Sequence, residues 1–218
     1  MLAVAGGKGG VGKTTTVLGL AAALPGRPLA VDADVDMPDL HRLAGRCREP
    51  GLDALLDETP LAAVTQPVET HDCRLVPAPD VDSERAERLL QQLGSITDSG
   101  DAEAVLVDTP AGASIDAAVP LRAADGVVLV STACRPALRD AAKTASMARA
   151  VGTPVLGTLL TRTLVRPPNV EELLGCPVLG TIPDVQERPL ARRRVRDRYA
   201  AAAERLREVA ENRNFRLY

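Results

Sequence analysis

The 218-residue chain is poorest in aromatic residues: it has no Trp, one Phe and two Tyr, and these three, Tyr199, Phe215 and Tyr218, all lie near its C-terminal end. That scarcity excludes the aromatic platforms on which single-stranded nucleic acid stacks. No run of about 18 apolar residues is present, so no membrane-spanning helix is expected. Leu2-Ala3-Val4-Ala5 runs straight into glycines, without the basic segment and long apolar stretch of a secretory leader, and a cytoplasmic protein is expected. Charge of one sign is also lacking. The net of -3 gives no global attraction to nucleic acid or to an anionic membrane. Among Cys47, Cys73, Cys134 and Cys176 there is no Cys-x-x-Cys pair. Cluster or metal ligation within one chain is therefore not expected, and reduced, partly buried thiols are. Lysine is scarce too: Lys8, Lys13 and Lys143 are the only three, and two of them share one glycine-rich stretch.

Short, continuously apolar runs alternate with longer helical patterns. Strands are predicted at Leu2–Ala5, Leu29–Val31, Arg74–Val76, Ala104–Val107, Val127–Val130, Val155–Leu160 and Val178–Ile182. Helices are predicted at Lys13–Leu24, Asp82–Leu93, Ile115–Ala123, Ala137–Ala150 and Asp197–Glu211. Runs without period-2 alternation suit strands buried on both faces of a parallel sheet. Strand-then-helix repetition predicts a doubly wound α/β fold, mainly parallel and flanked by helices, in a single domain spanning 1–218. The stretch from Gly45 to Thr70 carries no clear period and reads as short helices and loops on the sheet's flank.

Gly7-x-x-x-x-Gly12-Lys13-Thr14 follows the first strand and opens the first helix, the context a phosphate-binding loop requires. Glycines let the backbone curl so that successive N–H groups face phosphate oxygens, and the helix adds its positive N-terminal end. Lys13 would reach the β- and γ-phosphates, the Thr14 hydroxyl would ligate magnesium and Thr15 would bond a more proximal phosphate. Lys8 is not required by that pattern. It reads either as a solvated lysine or as a cation reaching across a dimer interface to a second nucleotide.

Carboxylates end two strands, in Asp32-Ala33-Asp34-Val35-Asp36 and in Val107-Asp108-Thr109-Pro110. The C-terminal mouth of a parallel sheet is where ligands bind. Asp108 would hold magnesium through water, Asp32 would support the metal's shell and Asp34 would orient the attacking water, while Asp36 reads as a turn residue.

Together these segments resemble the MinD/ParA family of deviant-Walker-A ATPases. Gly6-Gly7-Lys8-Gly9-Gly10-Val11-Gly12-Lys13-Thr14-Thr15 is similar to the family's first motif. Asp32-Ala33-Asp34-Val35-Asp36-Met37-Pro38-Asp39-Leu40 resembles the second, with Asp39 where the family usually has Asn. Val107-Asp108-Thr109-Pro110-Ala111-Gly112 resembles its Walker B segment, and Gly180-Thr181-Ile182-Pro183-Asp184 a late segment that passes the base. The resemblance implies the MinD/NifH branch of P-loop folds, ATP and Mg2+ as cofactors, and a homodimer with two nucleotides sandwiched between its halves. It makes Lys8 the signature lysine on the partner's phosphates, Lys13 and Asp34 catalytic, and Gly7, Lys8, Gly9, Gly10, Val11, Gly12, Lys13, Thr14 and Thr15 the phosphate cradle. Thr14, Asp32 and Asp108 become the metal set, and Thr161-Arg162 with Pro183-Asp184 the surroundings of adenine.

Four functions fit that frame. One is a positioning ATPase that recruits a protein partner. The second is a partition ATPase binding DNA without sequence preference through Arg192-Arg193-Arg194-Val195-Arg196-Asp197-Arg198. The third, an iron–sulfur scaffold, usually needs a Cys-x-x-Cys. The fourth is a nucleotide-binding adaptor that does not hydrolyse ATP. The C-terminal stripe Ala200–Ala203, Leu206, Val209 and Ala210 has modest hydrophobicity and is expected to pack on the core. The tail from Asn212 to Tyr218 does not read as a lipid-binding helix, so membrane attachment would need a separate anchor.

Overall fold

The computed structural model describes residues 1–96, 104–112, 115–215 and 217. Among the described residues it contains eight strands: β1 Leu2–Ala5, β2 Leu29–Asp32, β3 Gln66–Val68, β4 Cys73–Val76, β5 Val105–Asp108, β6 Gly126–Thr132, β7 Val155–Thr161 and β8 Val178–Thr181. They form one sheet in the order β3-β4-β2-β5-β1-β6-β7-β8. Every pairing is parallel except β3 with β4 at the edge. The helices are α1 Lys13–Ala21, α2 Leu40–Leu43, α3 Leu61–Val64, α4 Ser83–Ile96, α5 Ile115–Ala123, α6 Arg135–Ala150, α7 Val170–Leu174 and α8 Arg193–Asn212.

All four residues of β1, β2 and β5 are buried, as are all seven of β7, the signature of a sheet covered on both faces. β1 lies between β5 and β6, so the residues after it emerge near the sheet's centre. α1 and α8 pack together on one face, α8 against β7 and β8, while α6 packs against β6 and β7.

Strand order therefore follows the expected doubly wound plan, with one addition. β3 falls in the stretch expected to hold only helices and loops. It contains Pro67, and only Val68 is buried, so neither apolar run nor alternation marks it; Pro is tolerated there because the strand is an edge. Helix bounds shift for local reasons. α1 stops at Ala21 instead of Leu24, ahead of Pro25 and Gly26, which is left-handed at φ 80°. α6 starts two residues early because Pro136 suits a first turn. α8 begins at Arg193, not Asp197, because Val195 and Tyr199 already lie on its buried face. Ala202, Ala203, Leu206, Val209 and Ala210 complete that face as expected, but Ala200 and Ala201 point outward. In the C-terminal tail, Arg216 and Tyr218 lie outside the described residues. No described helix is long and apolar enough to cross a membrane.

Candidate functional site

The loop between β1 and α1 uses its glycines in two ways. Gly10 and Gly12 take left-handed backbone angles, φ 75° and 95°, which only glycine adopts without strain. Gly6 and Gly7 are required by closeness. A Cβ on Gly6 would lie 2.6 Å from the Val130 carbonyl, and one on Gly7 would lie 2.2 Å from the Asp140 main chain on α6. Gly9 has nothing within 4 Å and is open to solvent. Gly12 is the N-cap of α1, so the helix's free N–H groups and positive end face the loop. The Thr161 hydroxyl, at the end of β7, donates to the Val11 carbonyl at 2.6 Å and ties the loop to the neighbouring strand end.

Lys13 is buried, and its charge bears on both Asp34 and Asp108. Asp32 and Asp108 are partners across the β2–β5 pairing, with exposures of 0% and 3%. Asp32 accepts from the amides of Asp34 and Leu40, both at 3.1 Å. Burial, and then the neighbouring Asp108 charge, still push its carboxyl up to about 8. Burial likewise lifts Asp108 to about 7, against a hydrogen bond from Thr14 and the charge of Lys13. Asp108 Oδ1 is buried without a hydrogen-bond partner, a costly state for a carboxylate. Asp34 is half-buried and accepts from the Met37 amide at 3.0 Å; burial raises its pKa, opposed by that bond and by Lys13.

Those residues suit magnesium. Asp108 presents an unused buried oxygen, Thr14 bonds to the same carboxylate, and hard oxygen donors are what this ion takes, with the nucleotide's phosphates supplying the remainder. Among the described residues no group of three or more His, Cys, Asp and Glu could hold a metal ion without such help.

Beside the loop is a cleft of about 380 Å³, lined by Val11, Gly12 and Thr15 together with Thr161, Arg162, Pro183 and Asp184. The four residues expected around the base thus share one wall system with the phosphate loop. Sequence reasoning missed Leu43, Gln186, Arg188 and Tyr199, which also line it. Arg188 and Arg162 both hold left-handed backbone angles, and no contiguous motif joins these positions. Tyr199, on α8, shares a 3.2 Å hydrogen bond with Thr16 of α1, and its ring fills the space a side chain at Gly19 would need.

Lys8 is exposed. Its charge helps lower the pKa of the exposed Cys134 thiol, after hydrogen bonds from Thr132 and the Ala137 amide. All four cysteines are free, Cys73 and Cys176 being buried. Asp39, in place of the usual Asn, makes no side-chain cap to α2 and pairs instead with Arg42 at 3.5 Å. Arg193 pairs with Asp197, and Arg196 donates to the Leu190 and Ala191 carbonyls.

Residues 1–172 match the protein family ParA, described as NUBPL iron-transfer P-loop NTPases. The chain belongs to the ParA family. This ParA-family chain is 30% identical over 198 residues to an uncharacterised ATP-binding protein of Methanocaldococcus jannaschii, covering 84% of the chain and 74% of that relative. It is 28% identical over 211 residues to the septum site-determining protein MinD of Synechocystis, covering 86% and 77%. In fold it resembles the MinD of Pyrococcus horikoshii solved with Mg-ADP, with a TM-score of 0.82 at 23% identity over 96% of each chain. The family is one of P-loop NTPases, and the MinD/ParA-like architecture is that of this chain.

Proposed function

We propose that the chain is a magnesium-dependent ATPase whose ATP-bound form is a homodimer that recruits a protein partner and is reset by hydrolysis. The observation that carries the chemical part is Asp108: a buried carboxylate with one unpartnered oxygen, set beside Thr14 and Lys13 at the mouth of a phosphate loop. Magnesium, when bound, would neutralise phosphate charge, with Thr14, Asp108 and Asp32 as the residues that hold it. The amides from Gly9 to Thr15 grip the phosphates, Lys13 stabilises charge on the transferred group, and Asp34 orients the water that attacks it. Adenine takes the cleft bordered by Arg162, Pro183 and Asp184.

Dimerisation is supported by Lys8. An exposed cation on the loop, one that the phosphate-loop pattern does not require, is available to a second copy's phosphate. Partner recruitment is supported by the relative in Synechocystis, whose name assigns it to septum placement. Iron transfer, named in the family description, finds little support in the thiols, two of which are buried. DNA binding has one observation in its favour: Arg192, Arg194 and Arg198 are exposed at the start of α8.

Light scattering on the Asp34→Ala protein decides the switch. A dimer with magnesium and ATP, and a monomer with ADP, is expected. A monomer under both, with ATP demonstrably bound, would rule out the sandwich. Salt-sensitive binding of arbitrary duplex DNA by the ATP form alone would favour the DNA reading.

A further inference from the structure

α2 is a single turn, and its two ends touch different parts of the site. At its start, Leu40 is fully buried in the core and its amide donates to Asp32 Oδ2 at 3.1 Å. At its end, Leu43 is 41% exposed and borders the base cleft. The other described residues of that lining belong to the phosphate loop and α1, to the end of β7, to the 182–189 segment or to α8. Leu43 alone comes from the stretch that carries Asp32 and Asp34.

A four-residue turn has almost no stability of its own. Its seat is set by what it packs against, here α1 and β2. Asp39 gives it no side-chain cap, and Gly45, at φ 66°, lets the chain turn away directly behind it. The start of the turn is pinned by the core and by Asp32. Its end leaves apolar surface open at the rim of a cavity, where a flat, largely apolar ring would cover it.

We propose that Leu43 is a positioning residue that senses the nucleotide base. A base seated in the cleft covers Leu43 and fixes α2, and through the Leu40 amide it holds the Asp32 carboxylate in place. This deepens, and rests on, the reading of the cleft as the base site of an ATPase. Binding energy from a part of the substrate that does not react is thereby spent on arranging the groups that serve the phosphates. The base then raises turnover and not merely affinity.

Magnesium tripolyphosphate, which has the phosphates of ATP and no base, is the probe. With the native chain, the segment from Asp39 to Ala44 should gain hydrogen-exchange protection with ATP or ADP and gain none with tripolyphosphate. Turnover of ATP should exceed that of tripolyphosphate by at least about tenfold, the lower end of what losing an outer-shell partner at a metal site costs. Leu43→Ala should bring ATP turnover down to the tripolyphosphate rate with KM for ATP within about threefold of native, and should abolish the protection. Leu43→Met, which restores an apolar side chain of similar volume, should recover both. Leu43→Ala raising KM with kcat unchanged would make Leu43 a simple base contact and overturn the inference. Equal protection by ATP and tripolyphosphate would overturn it too, and both of those results leave the proposed ATPase standing. Failure of the native chain to bind any nucleotide overturns the two together.

Discussion

The proposed phosphate end is one run of ten consecutive residues, Gly6 to Thr15, of which Val11, Gly12 and Thr15 line the cleft. The proposed base end is lined by Leu43, Thr161-Arg162, residues of the 182–189 segment and Tyr199, drawn from four separate stretches of chain. The difference follows from what each end must grip. Phosphate oxygens need several convergent N–H donors and a fixed positive charge, and only a contiguous main chain of special curvature supplies them. A base offers a flat ring and a few edge atoms, which any side chains brought together by the fold can meet. The first end is crowded at Gly6 and Gly7, where an added Cβ would meet main chain, and on this reading it should tolerate substitution less than the second.

Substitution at each end should widen that contrast. The largest effect is expected from Lys13→Ala, which on the proposed reading removes a buried cation from the phosphates and should weaken ATP binding by about 10²-fold, read by calorimetric titration. An affinity within a few-fold of native would take Lys13 out of the phosphate site. Next comes acidity. Asp32 and Asp108 hold protons in the folded, ligand-free chain up to about 8 and about 7, whereas an unfolded carboxyl releases its proton near 4. The folded state then binds more protons across that window, so stability is full below about pH 4 and is lost as pH rises through the raised values. The melting temperature of the ligand-free protein should fall from pH 5 to 8, and Asp32→Asn should flatten the slope. A melting temperature that rises with pH would mean that both carboxylates are ionised in the fold.

Gly7→Ala should cost about 1–3 kcal/mol because its Cβ meets the Asp140 main chain. That lowers the melting temperature by about 2–4 °C per kcal/mol. Gly9→Ala, in open space two residues on, should stay within about 0.5 kcal/mol. Equal losses at the two positions would contradict the division of the glycines into packed and free. The smallest effect is expected from Tyr199→Phe, which removes one buried hydrogen bond to Thr16 worth about 1 kcal/mol while keeping the ring over Gly19. Thermal melts should show a drop of a few degrees, and an unchanged melting temperature would mean that the bond adds nothing.

The same contrast explains what could be read in advance. The central strands are legible because each is a short run buried on both faces, and the phosphate loop because its chemistry is written in neighbouring residues. Asp32 and Asp108 are legible as carboxylates at strand ends, but not their pairing side by side, which depends on β2 lying next to β5. β3 is illegible because Pro67 and a single buried Val68 give no period. Leu43, Gln186 and Arg188 carry no local signal at all: an exposed leucine on a short turn and an arginine in a left-handed bend acquire meaning only from what the fold sets opposite them. The run of arginines around Val195, offered in the sequence as a DNA-binding segment, obscured Val195 and Tyr199, spaced four apart, as the true start of the buried face of α8.

The contact between Thr16 and Tyr199 joins residues 183 positions apart. During synthesis the phosphate loop leaves the ribosome well before the side chain that braces its helix, which arrives only after all eight described strands have been made. A chain halted after β7 would carry every residue of the phosphate motif and neither the brace nor the 182–189 wall. On the proposed reading, gripping a nucleotide at both ends therefore needs the chain through Tyr199, and arrested fragments that share the motif would be poor competitors for it.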